Sequence, residues 1–352
     1  MEIQTDCNLI DLNTFGVSAL AKFFVQISKV SELDELLKMP EFKDNERLFF
    51  GGGSNIVLVE DFDGIVVLNK IKGIETVEEN EDFVFVKAMS GEGWNDLVSF
   101  AVERNLWGIE NLALIPGTVG AAPMQNIGAY GAELKDTLVS LEVLEIETGE
   151  HKTFQNNECK FGYRDSIFKH EAKGKYFILS ITIKLSKKEN KNTEYRVLKQ
   201  YLEDNKITPN TPKIISIAVS NIRRSKLPDP KVLGNAGSFF KNSFVTKEKL
   251  ESLIQDYPGM PYFTEGAHTS PQPSPYKGEG ENTHKIPTAW LIEQCLWKGK
   301  KVGNVGMHEK QALVLVNYGG ATGQEIKNLA QQVTDSVYQK FGIILVPEVN
   351  LI

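Results

Sequence analysis

Apolar and polar positions fall into short blocks along the chain, some with the two-residue period of strands and some with helical spacing. In the first 70 residues the runs FFVQI, RLFFG, NIVLV and GIVVLN read as strands around one short helical segment at DELLKM, predicting a small α+β unit. Leu48 to Phe50, then Gly51-Gly52-Gly53, Ser54-Asn55 and Ile56 to Val59 read as strand, tight glycine turn, strand. Over roughly 71–220, FVFVKAM predicts a strand and Trp94 to Arg104 a helix; LEVLEI, Thr148-Gly149 and HKTFQ predict a hairpin, and YFILSITIKL a further strand. This is a second α+β unit. In a third, TKEKLESLIQDY and IPTAWLIEQCLW carry helical spacing and QALVLVN that of a strand. Thr322 to Glu325 is a capping box opening a helix with Ile326, Leu329, Ala330, Val333 and Val337 on one face, stopped near Gly342. The chain closes with IILVPEVNLI, read as a strand.

Composition narrows the class. The chain has 352 residues, 41% hydrophobic and 24% charged, as an ordinary soluble protein of two to three domains has. Its net charge of -7 argues against general affinity for nucleic acid or anionic membrane, both polyanions. The N-terminus lacks the basic start and apolar core of a signal peptide, and no apolar run is long enough to span a bilayer, so a cytoplasmic location is expected. Cys7, Cys159 and Cys295 are scattered, and the five histidines form no HxH or HxxxH pair, so no protein-ligated metal is expected. The Ser, Pro, Gly and charge-rich segment at about 264–284 buries too little apolar area to order itself, and is expected to be a disordered insertion.

The candidate chemistry lies in the glycine loops and the charges near them. GxGxxG, GxxxxGK[ST] and GxSxG are all absent. GGGSN and PGTVGAAPMQNIGAYG string small residues together, so several backbone amides can converge on phosphate oxygens. GGGSN alone is equally a hairpin turn, whereas a glycine-rich connector as long as the second loop points to function. Arg223, Arg224, Lys226 and Lys231 reverse the local charge against a single Asp229. Such a run is usually a solvated face. Here Pro228 and Pro230 stiffen it, and it leads into GNAGSFFKN with Ser238, an arrangement suited to gripping a diphosphate while presenting a hydroxyl. Ser238 belongs either to a loop packed on Phe239 and Phe240 or to a reactive site. In a terminal strand Glu348 shares a face with Ile344, Val346, Asn350 and Ile352, so its carboxylate needs a cation or a raised pKa; a structural ion pair and a catalytic role both remain open. Arg164, in KFGYRDS, is a candidate partner, and Asp165 beside it is the alternative claimant on that arginine.

Taken in order, GGGSN, IPGTVGAAPMQNIGAYGAEL, FGYRDS, RRSKLPDPK, GNAGSFFKN, WLIEQC, VGNVGMHEKQALVLVN and PEVNLI strongly resemble the UDP-N-acetylenolpyruvoylglucosamine reductase (MurB) family, and the segment around Tyr195 resembles its type I form. The resemblance implies a three-domain α+β flavoenzyme. Two α+β domains of vanillyl-alcohol-oxidase/PCMH type, 1–70 (completed by about 325–352) and 71–220, would bind FAD, and 221–324 would bind substrate. It implies NADPH as reductant, a UDP-sugar substrate, and a monomer with no nucleic-acid or membrane partner. By match to family motifs, Ser238 is the proton donor, with Arg164 and Glu348 stabilising the enolate; Lys241 is a further neighbour managing the proton. Gly51, Gly52, Gly53, Ser54, Asn55, Gly117, Thr118, Gly120, Asn126, Gly128, Ala129, Tyr130 and Arg223 are expected at the flavin, and Tyr195, Lys226, Asn242, Gln294 and Tyr262 at the substrate. Three features depart from the family pattern. Asn350 replaces a common arginine, Ser243 replaces a common proline and is expected to loosen its loop, and the 264–284 insertion has no counterpart.

Overall fold

A computed structural model describes residues 1–264 and 283–352; the expected disordered insertion lies almost wholly outside them. The chain forms two compact units. One comprises Met1–Cys7, Ala21–Gly53 and Phe62–Ser225; the other comprises Asn8–Leu20, Ser54–Asp61 and Lys226–Ile352. Among the described residues, no helix is long and apolar enough to cross a membrane.

In the first unit the apolar strands Leu20–Ile27 and Glu46–Phe50 pair in parallel with Phe62–Asn69 between them, and Ile3–Asn8 lies outside Leu20–Ile27. Phe62–Asn69 is buried at seven of its eight positions, as a central parallel strand covered on both faces must be. Leu33, Leu36 and Phe42, from helices Val30–Leu36 and Pro40–Lys43, cover it together with Leu144, Phe177 and Leu179 of a second sheet. That sheet is antiparallel, ordered His151–Gln155, Leu138–Glu145, Tyr176–Ser186, Phe83–Met89, Ile74–Glu79, and includes the predicted hairpin. Val143, Ile181, Ile183 and Leu185 feed its larger core, with Trp94, Leu97 and Val98 of helix Trp94–Glu103.

Two further helices, Arg196–Asp204 and Pro212–Lys226, complete that core with Leu198, Leu202, Ile215, Val219 and Ile222. They change the reading of the cationic run: Arg223, Arg224 and Lys226 form the last turn of a 15-residue helix, where positive charge opposes the helix dipole favourably, rather than a proline-stiffened strap. The boundary expected near residue 220 falls inside this helix.

In the second unit Gly234–Ser238, Val314–Asn317, Val305–Met307 and Lys301–Val302 form one sheet, and Ser243–Thr246, Thr283–Ile286 and Phe263–Thr264 another. Helix Gly323–Phe341 starts at the predicted box: Thr322 Oγ1 accepts Glu325 N–H at 3.2 Å, the Glu325 carboxylate accepts Thr322 N–H at 2.8 Å, and Gly342 ends it at φ 66°. Its buried Ile326, Leu329, Val333 and Val337 pack with Leu291, Ile292 and Leu315.

Three sequence expectations need correction here. GGGSN is not a hairpin turn, because Ile56–Val57 pairs in parallel with Asn350–Leu351 and not with Glu46–Phe50. The closing segment is strand only at Asn350–Leu351, and its buried side chains are Ile343, Leu345 and Val349, while Ile344 is 67% exposed. Glu348 lies before that strand and is half-buried, between the exposed Pro347 and the buried Val349, and Ile344 and Asn350, expected to share its face, are exposed. GNAGS is itself a strand, with an irregular register between Asn235 and Ser238 where it pairs with Val314–Asn317.

Candidate active site

In the first unit the two glycine loops meet. A Cβ on Gly52 would lie 2.9 Å from the Gly117 Cα, a backbone atom with no freedom to swing aside, and Gly117 itself has φ 109°. A Cβ on Gly51 would strike the Thr118 side chain. The second loop is rooted at the strand-to-helix junction before Trp94: Trp94 N–H donates to Gly117 O, Val119 N–H to Glu92 O and Gly120 N–H to Ser90 O, each at 2.9–3.0 Å. From there it runs through the 3-10 turns Val119–Ala121 and Pro123–Gln125 into the two-stranded hairpin Gly128–Ala129 and Ala132–Glu133.

Asn126 locks this path. It is buried at φ 44°, a left-handed conformation that asparagine tolerates. Its amide donates to Glu133 Oε2 at 2.9 Å and to Gly162 O at 3.0 Å, and its Oδ1 accepts Lys135 N–H at 3.0 Å. Both amide hydrogens are thus engaged within the protein, which makes Asn126 a brace of the loop.

Arg164 sits at φ 53° in the turn Gly162–Asp165 and donates to Gly128 O. The neighbouring Asp165 carboxylate holds His170 Nε2 at 2.8 Å. Arg223 approaches from its helix, and its Nε is sealed from solvent with no hydrogen-bond acceptor among the described residues. Burial pushes the Arg223 guanidinium below its ordinary range; Tyr130 offsets this and Arg164 adds to it. Burial likewise pushes the Tyr130 phenol up, Arg223 pulls it back, and Tyr195 raises it. Tyr195, 48% exposed, lies edge-on to Tyr130 with ring centroids 5.6 Å apart. A buried guanidinium acting on the Tyr130 phenol, with a sealed N–H lacking an acceptor among the described residues, and a glycine loop whose backbone is closely approached by another fit an anionic, flat ligand such as a dinucleotide cofactor.

The second unit holds the other candidates. Phe239 and Phe240 are buried, their rings edge-to-face at 5.1 Å, and anchor the strand end that carries Ser238. Gly237, at φ 69°, donates to Asn235 Oδ1 at 2.9 Å, and the Asn235 amide reaches Leu233 O and Pro228 O, tying the PDPK segment to the Ser238 strand. Glu348 N–H donates to Phe239 O at 2.8 Å and Lys241 N–H to Val346 O at 2.9 Å. This short antiparallel ladder brings Ser238, Lys241 and Glu348 into one neighbourhood. Asn55 joins it: its amide donates to Glu348 O at 3.3 Å, while both the backbone N–H and the amide of Asn350 donate to Asn55 O at 3.0 Å. Asn350 therefore fastens the GGGSN segment by its own side chain.

Ser243 does not loosen its loop. It is buried, its hydroxyl 2.9 Å from Thr288 Oγ1, which in turn donates to Lys241 O at 2.8 Å. Asn242 Oδ1 accepts Thr288 N–H at 3.2 Å, at the start of helix Thr288–Gln294, and Gln294 ends the same helix, its carbonyl accepting Lys340 Nζ at 2.6 Å. Asn242 and Gln294 thus sit roughly 10 Å apart along the helix. Lys226 is exposed at a helix end, and Tyr262 is 45% exposed, edge-on to His284. The residues that sequence reasoning missed are Asn111, Asn192, Asn235 and Thr288, which bond mostly to backbone groups; only Asn235 lies within one of the motifs, GNAGSFFKN.

Comparison with known proteins gives matching results. Residues 21–155 match the FAD binding domain family, and 229–352 match the C-terminal domain of UDP-N-acetylenolpyruvoylglucosamine reductase. The UDP-N-acetylenolpyruvoylglucosamine reductase of Flavobacterium johnsoniae is 46% identical over the full length of both chains; that of Pseudomonas aeruginosa is 40% identical over 100% of this chain and 99% of its own. The crystal structure of the Thermus caldophilus enzyme superposes with a TM-score of 0.63 over 99% of this chain and 98% of that one, at 21% identity, and so shares the fold.

Proposed function

The chain belongs to the UDP-N-acetylenolpyruvoylglucosamine reductase family, and on that premise we propose that NADPH and FAD together reduce the enolpyruvyl group of UDP-N-acetylglucosamine enolpyruvate to UDP-N-acetylmuramate, with Ser238, Arg164 and Glu348 as the catalytic residues. Membership carries reductase activity in peptidoglycan-precursor synthesis and an FAD-binding domain.

Once reduced by NADPH, the bound flavin would supply a hydride to C3 of the enolpyruvyl group and return to its oxidised form. Gly51, Gly52, Gly53, Ser54, Asn55, Gly117, Thr118, Gly120, Gly128, Ala129, Tyr130 and Arg223 would hold it, with Asn126 bracing their loop. Segments 1–70 (with 325–352) and 71–220 are assigned to the cofactor, and 221–324 to the sugar nucleotide. Negative charge collects over C2 and the substrate carboxylate during reduction, and the Arg164 guanidinium stabilises it. Fixed charge aimed at developing charge is commonly worth about 10²- to 10³-fold in rate. The Ser238 hydroxyl gives its proton to C2, with Glu348 and Lys241 managing the proton at Ser238 Oγ; a positioned acid contributes about 10²- to 10⁴-fold. Tyr195, Lys226, Asn242, Gln294 and Tyr262 contact the sugar nucleotide.

The observation that carries the Ser238 assignment is the Glu348 N–H to Phe239 O bond, which ties the serine strand to the segment bearing the carboxylate. The overall reading is tested by reducing the purified yellow protein with NADPH anaerobically, then adding either the enolpyruvyl sugar nucleotide or oxygen. Rapid reoxidation by the sugar nucleotide, with slow reoxidation by oxygen, is expected. A protein that oxygen reoxidises quickly and the sugar nucleotide does not is an oxidase, and the reading fails.

A further inference from the structure

Three amide hydrogen bonds join three segments of the first unit. Asn111 is 2% exposed and lies on the 3-10 turn Glu110–Leu112, whose entry is fixed by the buried Glu110 carboxylate accepting Gly108 N–H at 2.6 Å. The Asn111 amide donates to Tyr130 O and to Asn192 O, both at 2.8 Å, and the Asn192 amide donates to Gly131 O at 2.8 Å. Asn111 Oδ1 is buried without a hydrogen-bond partner among the described residues, so the side chain is held by what its two hydrogens do. Tyr130 and Gly131 are the two central residues of the hairpin turn between Ala129 and Ala132, at φ 50° and 86°, the left-handed pair that a two-residue hairpin demands. Their carbonyls have no ladder partner and are taken by the two asparagines.

On the far side Asn192 lies three residues before Tyr195, which caps helix Arg196–Asp204; Lys199 N–H donates to Tyr195 O, and Leu198 and Leu202 root the helix in the core. The segment 192–195 is therefore pinned at both ends, with the exposed Tyr195 ring edge-on to Tyr130.

We propose that Asn111 and Asn192 are positioning residues for sugar-nucleotide binding: their amide clasp joins the Tyr130-Gly131 turn and the 192–195 segment into one element and holds Tyr195 ready for the diphosphate. This rests on Tyr195 contacting the substrate, as read above. The clasp couples the cofactor loop to substrate affinity while leaving the cofactor's own reduction untouched.

The test uses the holoenzyme with Asn192→Ala, Asn192→Asp and Tyr195→Ala, because residue 192 is exposed and its replacement leaves the core intact. Both Asn192 variants are expected to raise KM for the enolpyruvyl sugar nucleotide about 5- to 10-fold, the effect of one lost positioning hydrogen bond, with kcat within about twofold. NADPH should bleach the flavin at the wild-type rate, amide exchange across 190–197 should quicken, and Asn192→Ala should add nothing to Tyr195→Ala. An unchanged KM in both Asn192 variants, beside a raised KM in Tyr195→Ala, overturns the clasp. Equal slowing of both half-reactions overturns it too, as damage to the fold. If Tyr195→Ala itself leaves KM unchanged while exchange still quickens in Asn192→Ala, the substrate reading of Tyr195 has failed and the proposal falls with it.

Discussion

Replacing Asn126 by aspartate removes two hydrogen-bond donors and almost nothing else. Aspartate has nearly the same shape and tolerates the left-handed backbone at φ 44°, so neither a cavity nor new strain enters the comparison. The acceptor of Lys135 N–H is kept. Lost are the bond to Gly162 O, worth about 1 kcal/mol, and the charge-assisted bond to Glu133, worth about 1.5–3 kcal/mol. The new carboxylate then faces two oxygens that had accepted from the amide. Lys135 Nζ, 2.8 Å from Glu133, softens that repulsion, so about 3 kcal/mol is the expected total. At roughly 2–4 °C per kcal/mol for a unit of this size, Tm should fall by about 6–12 °C at pH 7.5. The sign of the pH dependence follows from burial among acceptors, which raises the folded-state pKa of the introduced carboxyl above its unfolded value. Its neutral form regains a donor, so the deficit should be smallest near the unfolded carboxyl range and grow as pH rises through the folded pKa. Thermal unfolding of both holoproteins followed by flavin fluorescence, at pH 5 and at pH 7.5, reads both effects. A Tm within about 2 °C of wild type at pH 7.5, or a deficit no smaller at pH 5, refutes the view that Asn126 braces the loop through its donors.

Two more expectations concern single positions. Gly52→Ala drives a methyl group against the Gly117 backbone, so the protein should purify with much less bound flavin and a lower Tm; full flavin content would show that the loops can part at little cost. Burial pushes the Cys159 thiol up to about 12, so in native protein at pH 8 it should resist alkylation that proceeds after denaturation, and stability should decline as pH climbs above the unfolded thiol's range; mass spectrometry of the peptide and alkaline melting curves check the two halves.

Where information was local, the sequence carried the structure. Thr322 and Glu325 cap the helix they announce, Gly342 stops it, and Thr148-Gly149 turns the hairpin between Leu138–Glu145 and His151–Gln155. Helices Arg196–Asp204 and Pro212–Lys226 were obscured because the first shows the core only Leu198 and Leu202, and basic residues crowd the end of the second. The two-residue period from Ile344 onwards does not locate Glu348, because the segment before Asn350 is not a strand and buries Ile343, Leu345 and Val349 instead. At the candidate site the motifs identified the glycine loops, Ser238 and the arginines. They were silent on what holds them, because Asn126, Asn111, Asn192 and Asn350 bond largely to backbone carbonyls, which any residue supplies.

Ser238, on the reading proposed above, delivers a proton during substrate reduction and has no part in reducing the flavin. This role is tested most directly by single-turnover kinetics of Ser238→Ala in two halves. NADPH should bleach the flavin of the variant at close to the wild-type rate, while its reoxidation by UDP-N-acetylglucosamine enolpyruvate slows by at least about 10²-fold, the lower end of what a positioned acid contributes. Reoxidation at the wild-type rate, or equal slowing of both halves, would contradict the account.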